Sequence, residues 1–293
     1  MENWDDMRFL LALSRHKTMS AAADALHTNV ATVSRRVERA GQAIGVPLFI
    51  KDASGWTPTQ AVLPLLRMAE DFDARLTSER NSRSALEGKG IQARLQIAAP
   101  PFFHTMVLVP EVHNLLAEHP RLELDFRNRV DGTGLGDADI LLRQGRPEAG
   151  RVLARRLATL TSRGYRSTQA KSTLSGWVSM NARSSTALDL ALGREIFGAD
   201  PNVTVSLFEQ KLTVMRSTGL AGILTDEVAG QLPDMVAIDP DGPNTSAEFW
   251  LVFHATRRDD PAVRVVTDWI IDCFRKGPYG KVSQVAELSD AAT

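Results

Sequence analysis

Residues 20–45 constrain this chain more than any other stretch. Ser20 caps an alanine-rich run, Ala21-Ala22-Ala23-Asp24-Ala25-Leu26, whose small side chains let a second helix approach closely. A polar turn follows, His27-Thr28-Asn29. From about Val30, the residues Val33, Val37, Ala40 and Ile44 recur at helical spacing, with Thr32, Arg35, Arg36 and Arg39 on the opposite side and Gly45 as the stop. Two helices across a short polar turn, the second basic on its outer face, form the helix-turn-helix pattern. A helix precedes it, capped by Asn3, with Asp5 and Asp6 in its first turn and an apolar stripe through Met7, Leu10 and Leu11. Pro47-Leu48-Phe49-Ile50 reads as a strand, Lys51–Trp56 as a turn, and Trp56–Thr59 leads away, which makes a wing.

A long helix is expected from Thr59 to about Leu86. Val62, Leu65, Ala69, Phe72 and Leu76 follow alternating steps of three and four, the seam of a coiled coil through which two chains pair. A helix packed on its own domain has the same period, so both readings stand. Residues 82–90 are polar and contain glycine, the character of a hinge. From Arg94, strand and helix patterns alternate, the sign of an α/β fold. Expected strands are Leu95–Ala99, Leu122–Phe126, Ala138–Leu142, Val152–Leu160, Trp177–Met180, Val203–Leu207, Met235–Ile238 and Phe249–His254. Expected helices are His104–Glu118, Thr186–Phe197, Phe208–Ser217 and Pro261–Arg275.

The fold class is therefore multidomain α and α/β. A winged helix-turn-helix (1–58) is followed by a linker and dimerisation helix with a hinge (59–90). Then comes a two-subdomain α/β domain (91–276) and a loose tail (277–293). Subdomain I takes about 91–161 and 232–276, and subdomain II about 162–231.

Composition narrows the function. No run approaches the ~18 apolar residues a membrane span needs. Glu2, Asp5 and Asp6 make the N-terminus unlike a secretory signal, and the single Cys273 excludes an internal disulfide or a cysteine zinc site, so a cytoplasmic protein is expected. Cys273 reads as a small buried hydrophobe. The net charge is −1, but residues 35–51 are locally basic, and local charge is what DNA meets. No paired-histidine metal motif, GxSxG elbow or GxxxxGK[ST] loop occurs. Gly132-Thr133-Gly134-Leu135-Gly136 reads as a flexible loop. No enzyme activity, cofactor or metal is expected.

The first sixty residues resemble the DNA-binding domain of the LysR family of transcriptional regulators. Trp4-Asp5-Asp6-Met7-Arg8-Phe9, Met19–Leu26, Thr32-Val33-Ser34-Arg35-Arg36-Val37 and Gly45-Val46-Pro47-Leu48-Phe49 match in order and spacing. Leu95–Pro100, Ala138–Arg143 and Thr218–Leu224 are similar to segments of the family's effector domain. Val30-Ala31 stands where the family often has Gln-Pro, so a side chain able to read adenine is absent. The resemblance implies double-stranded promoter DNA as a partner. It also implies a small-molecule effector, an organic anion being expected, a dimer or tetramer, and contact with RNA polymerase.

For DNA, Asn29, Val30, Thr32, Val33 and Arg36 are the expected base-facing set, with Val30 suited to a thymine methyl and Arg35 or Arg36 to guanine. Ser20, Thr28, Ser34 and Lys51 suit phosphates. For the effector, the resemblance implies a fold like that of periplasmic binding proteins, with a cleft between subdomains. Ligands there meet strand C-termini and helix N-termini. That selects Pro101, Phe102, Phe103, His104 and Thr105, then Arg143 and Gln144, then Thr225 and Asp226. The competing reading makes Phe102 and Phe103 simply core. A solute-binding protein lacks a reason for the helix-turn-helix, and a ligand-independent architectural binder lacks one for the α/β half.

Overall fold

The computed structural model of the protein describes residues 4–52, 55–86, 90–129, 135–148, 151–180, 187–279 and 289–290. Asn3, the tip of the wing, part of the hinge, the first three residues of the Gly132–Gly136 loop, Thr186 and most of the tail lie outside them. The chain forms two compact units, residues 1–82 and 83–293.

The first unit runs α1 (Trp4–His16), α2 (Met19–Ala25), α3 (Val30–Ile44), β1 (Phe49–Asp52), β2 (Gly55–Pro58) and α4 (Leu63–Leu86). Ala22 and Ala23 are buried, as close helix packing requires, and Leu10, Leu13, Val33, Val37 and Ala40 complete the core. The cap of α2 is Thr18, not Ser20. The Thr18 hydroxyl accepts from the Ala21 N–H at 3.2 Å, and Ser20 lies inside the helix, exposed. Asn29 caps α3 by accepting from the Thr32 N–H at 2.8 Å. Gly45, at φ 84°, ends it in the left-handed conformation that glycine adopts without strain. β1 and β2 pair antiparallel, and the Trp56 N–H donates to the Lys17 carbonyl at 2.7 Å, stitching the wing to the α1–α2 turn. α4 begins at Leu63 rather than Thr59. The Thr59 hydroxyl is spent on the Pro47 carbonyl at 2.9 Å, which holds this stretch against the wing.

The second unit opens with β3 (Ala93–Ala99). The expected helix from His104 to Glu118 is broken into one-turn α5 (Pro101–Phe103), a π-helical turn (His104–Leu108), a 3-10 turn (Val109–Glu111) and α6 (Val112–Glu118). Pro110 has no N–H to continue an α-helical ladder. Then follow β4 (Leu122–Asn128), β5 (Ile140–Gln144), β6 (Val152–Ser167), β7 (Trp177–Met180), α7 (Ala187–Phe197), β8 (Val203–Val205) and α8 (Phe208–Thr218). Then come β9 (Ala221–Thr225), α9 (Asp226–Ala229), β10 (Met235–Ala237), β11 (Thr245–His254), α10 (Pro261–Lys276) and, in the tail expected to be loose, β12 (Ser289–Asp290), which pairs with β6 at Leu153 and Ala154.

The strand order is β4-β3-β5-β11-β6-β9-β7-β8, with β10 on β6. β3 lies parallel to β4 and β5, and β7 parallel to β8 and β9. β6 does not stop at Leu160. It pairs with β11 as far as Ser162, with β9 over Ser162–Tyr165, and with β10 over Tyr165–Ser167. One strand therefore belongs to both lobes. Leu95, Ile97, Phe103, Leu142, Phe249, Val266 and Phe274 fill the first lobe, and Val178, Phe208, Leu212, Met215 and Leu224 the second. Phe102 and Met106 pack against both.

The first lobe is closed by a buried ion network. Arg257, 3% exposed, donates from Nη2 to Asp260 Oδ2 at 2.8 Å and from Nη1 to Asp139 Oδ1. The other Asp139 oxygen accepts from the Gln96 N–H at 2.7 Å, tying β3 to the approach to β5. The other Asp260 oxygen accepts from the Ala262 and Val263 N–H groups, capping α10. Asp260→Ala leaves a buried guanidinium half paired and α10 uncapped, and should cost about 3–5 kcal/mol. Urea unfolding of the full chain followed by tryptophan fluorescence measures this, and a loss under about 1 kcal/mol would reject the network's role.

Candidate functional site

In the first unit, α3 is fixed to α1 by charge. Asp6, 4% exposed, accepts from Arg36 Nη1 at 2.9 Å and from Arg39 Nη2 at 2.5 Å and Nε at 3.2 Å. Burial raises the Asp6 carboxyl, but the two guanidiniums outweigh it and hold it below the usual carboxylate range. The Arg36 guanidinium also lies 5.4 Å from the centroid of the Phe9 ring. Arg36 is therefore turned toward α1 and is not an outward base reader. Val33 is fully buried and leaves the base-facing set for the same reason, since it faces α1 and α2.

The first half of α3 exposes Val30, Ala31 and Arg35, and its second half Glu38, Arg39, Gln42, Ala43 and Ile44. Val30 is 47% exposed, Ala31 and Arg35 are exposed, and Arg35 makes one outward guanidinium at the place where recognition helices meet base edges. Asn29 and Thr32 are engaged with each other, the Thr32 hydroxyl donating to Asn29 Oδ1 at 2.9 Å. The Ser34 hydroxyl donates to Glu38 at 2.8 Å. Ser20 and Lys51 are exposed and Thr28 half-buried, positions open to phosphate. Sequence reasoning placed Asp6 only as a dipole-favourable first-turn acid. Its spacing to arginines 30 and 33 residues later carries no local signal.

In α4 the expected seam divides. Val62 and Ala69 are buried in the core of the winged helix-turn-helix, with Leu66, and Leu65 packs against that core. Met68, Phe72 and Leu76, four residues apart, are 61%, 45% and 40% exposed and form one apolar stripe.

In the second unit, the ends of β3 and β5 lie together, because Ala98 pairs with Leu141. Phe103 is core, fully buried and 4.9 Å from Phe249 and 5.0 Å from Phe274 by ring centroids. Phe102 is half-buried and bridges to the second lobe, 6.4 Å from Phe208. The Thr105 hydroxyl donates to Glu209 Oε1 at 2.5 Å, joining the π-helical turn of one lobe to the first turn of α8 in the other. His104 is 6% exposed, meets Phe126 edge-on at 5.2 Å, and neither ring nitrogen has a hydrogen-bond partner among the described residues. Burial pushes its imidazole down to about 4, against the raising influence of Glu209, so the ring is neutral near pH 7.

The remaining expected contacts are placed differently. Along β5, side chains alternate, so Arg143 shares the Trp250 face while Gln144 shares the Phe249 face with Phe102. Asp226 accepts from the Tyr165 hydroxyl at 2.8 Å and from Arg163 Nε at 3.0 Å, and Thr225 caps α9. That pair locks α9 to β6. Glu209 was not anticipated. An acidic residue in a helix's first turn is ordinary, and only the tertiary fold brings it to Thr105.

The anion cradle expected at Pro101–Thr105 does not form. Pro101 has no N–H, and the Phe103 and His104 N–H groups return to the carbonyls of Pro100 and Pro101. At α8 the Ser206 and Leu207 N–H groups are taken by Gln210 Oε1, at 3.3 and 3.2 Å.

Comparison with known proteins agrees with this architecture. Residues 4–62 match the family model described as a bacterial regulatory helix-turn-helix protein of the lysR family, and residues 88–275 match the LysR substrate binding domain. The Mau operon transcriptional activator of Paracoccus denitrificans is 26% identical over 289 residues, covering 93% of this chain and 96% of that protein. ArgP from Mycobacterium tuberculosis superposes with a TM-score of 0.61 at 18% identity, covering 93% of this chain and 97% of the other. A full-length OxyR variant from Pseudomonas aeruginosa gives 0.59 at 15%, covering 94% and 99%.

The two arginines of α3 should separate experimentally. Arg35→Ala should weaken specific DNA binding by about 1–3 kcal/mol while changing stability by less than about 0.5 kcal/mol. Arg36→Ala should instead lower the stability of the N-terminal unit. Fluorescence anisotropy on operator DNA beside thermal melting reads both, and the opposite assignment of effects would overturn the orientation of α3.

Proposed function

Because the chain belongs to the LysR family and is a DNA-binding transcriptional regulator with an effector-binding domain, we propose a residue-level account of how it does this. The exposed first half of α3 enters the major groove, with Arg35 as the guanine reader, Val30 at a thymine methyl, and Ser20, Thr28 and Lys51 on phosphates. The observation that carries this reading is the outward Arg35 beside an Arg36 turned inward to Asp6.

Two chains pair through the Met68, Phe72 and Leu76 stripe of α4. A single helix face of this kind buries itself against a second copy at the low cost of one more helix contact. Paired recognition helices then meet two half-sites. Two such dimers form a tetramer through the C-terminal units, and the assembly acts on RNA polymerase at promoters in the cytoplasm. No helix among the described residues is long and apolar enough to cross a membrane.

A small molecule binds between the lobes around Phe102, His104, Thr105 and Glu209. By linkage it shifts the assembly only through its different affinity for two arrangements of the lobes. Phe102 and Met106, packed on both cores, are the side chains such a shift must move.

The first test is a gel shift of the purified full chain on DNA upstream of its own gene, with nonspecific competitor at physiological salt. A competitor-resistant shift supports this account, and its absence there and across a genomic selection would reject it. Phe72→Asp with Leu76→Asp, both exposed, should leave the fold intact and convert dimers to monomers in sedimentation velocity. An unchanged oligomer would remove the stripe from the interface.

A further inference from the structure

The polar groups at the junction of the lobes are the wrong set for a carboxylate. Ahead of α5, Pro101 has no N–H and the Phe103 N–H returns to the Pro100 carbonyl, and ahead of α8 the Ser206 and Leu207 N–H groups go to Gln210. The side chain that Thr105 holds there is itself a carboxylate, Glu209. The nearby cations are committed elsewhere. Arg163 serves Asp226 and the Pro240 carbonyl, Arg129 serves the Leu135 carbonyl, and the Lys211 ammonium is buried on the Ile223 carbonyl. Arg143 lies on the other face of the sheet.

Beside this carboxylate sits a buried polar side chain with nothing to bond. His104 is 6% exposed, both ring nitrogens lack a partner among the described residues, and Glu209 is close enough to act on it electrostatically. An imidazole left so costs free energy that a ligand would recover. Aromatic rings complete the surroundings: Phe126 edge-on to His104, and Phe102 next to Phe208.

We infer that the effector is an organic cation, an amine with an apolar body, held between Glu209, Thr105 and His104 against the half-buried Phe102 ring. This rests on the reading of the C-terminal unit as the effector domain, and it replaces the organic anion expected from the sequence. An ammonium group has three N–H donors and no acceptor. The Glu209 carboxylate, the Thr105 hydroxyl oxygen and a neutral imidazole nitrogen are three acceptors. The rings favour a cation over an anion because their faces are electronegative. A carboxylate ligand would instead face the Glu209 carboxylate, with the Thr105 hydroxyl proton already given to that carboxylate.

The test is isothermal titration of the full-length protein in phosphate buffer with matched probes: benzylamine against benzoate, n-butylamine against butyrate, and benzyl alcohol as the neutral control. The expected result is binding of the amines, at least tenfold tighter than their carboxylates, with at least a tenfold loss of amine affinity in Glu209→Gln. Thermal melting and operator binding of Glu209→Gln are measured beside the titration, so that an affinity loss is read only on folded, DNA-competent protein. Carboxylates binding as well as amines, or amine affinity unchanged in Glu209→Gln, would overturn the assignment. So would failure of every probe to bind a preparation that still shifts operator DNA, which would leave the regulator reading standing. Loss of operator binding in the wild type would remove that reading and this inference with it.

Discussion

Arg257 is the buried charge around which the first lobe of the C-terminal unit is arranged. A guanidinium out of water is tolerable only when its donors are matched, and here a neighbouring aspartate, Asp260, and a distant one, Asp139, supply the match. Each aspartate uses its second oxygen on backbone N–H groups, one on Gln96 in β3 and the other at the start of α10. Charge balance and backbone satisfaction therefore impose the same geometry. That geometry aligns the ends of β3 and β5, where the Pro101–Thr105 segment begins.

A similar economy operates in the N-terminal unit. Asp6 takes up two of the three arginines of α3, which fixes the angle between α1 and α3 and withdraws charge from the outer face. At the start of the helix Val30, Ala31 and Arg35 remain exposed, with Lys51 on the wing. In the proposed reading Arg35 and the Val30 methyls carry specificity, whereas phosphate contacts position without specifying. The wing's attachment to the Lys17 carbonyl keeps Lys51 on the same rigid body as α3.

The two lobes of the C-terminal unit share β6, so they are joined by continuous strand rather than by flexible connections alone. The Asp226 cluster pins α9 to that strand. Between the lobes run the side chains of Phe102 and Met106 on both cores, the Thr105–Glu209 hydrogen bond and the Gln231–Tyr279 hydrogen bond at 2.6 Å. A small molecule acting there works where the two cores meet, and a few kcal/mol of differential binding suffices to shift a population.

Local physics made much of this legible in the chain itself. The helix-turn-helix follows from alanines small enough for close packing, Asn29 able to cap and Gly45 able to adopt positive φ, and all three act within a few residues of their own position. The alternation of strands and helices after Arg94 likewise follows from periods of two and 3.6 in apolar residues. Where a long strand would cease to alternate cleanly, as β6 does beyond Leu160, the period was no guide, because that strand is buried by different partners along its length. What only the tertiary structure decided is which of several equivalent side chains faces inward. Arg36 and Arg35 differ by about 100° of helix rotation, and only the position of Asp6, thirty residues away, turns one inward and leaves the other exposed. Val62 and Phe72 share one heptad seam, and only the core of the first unit separates them. Glu209 meets Thr105 across more than a hundred residues. Sequence determines periodicity and capping because these are local; pairing of charges over long separations is settled by packing, and the DNA and effector contacts depend on that pairing.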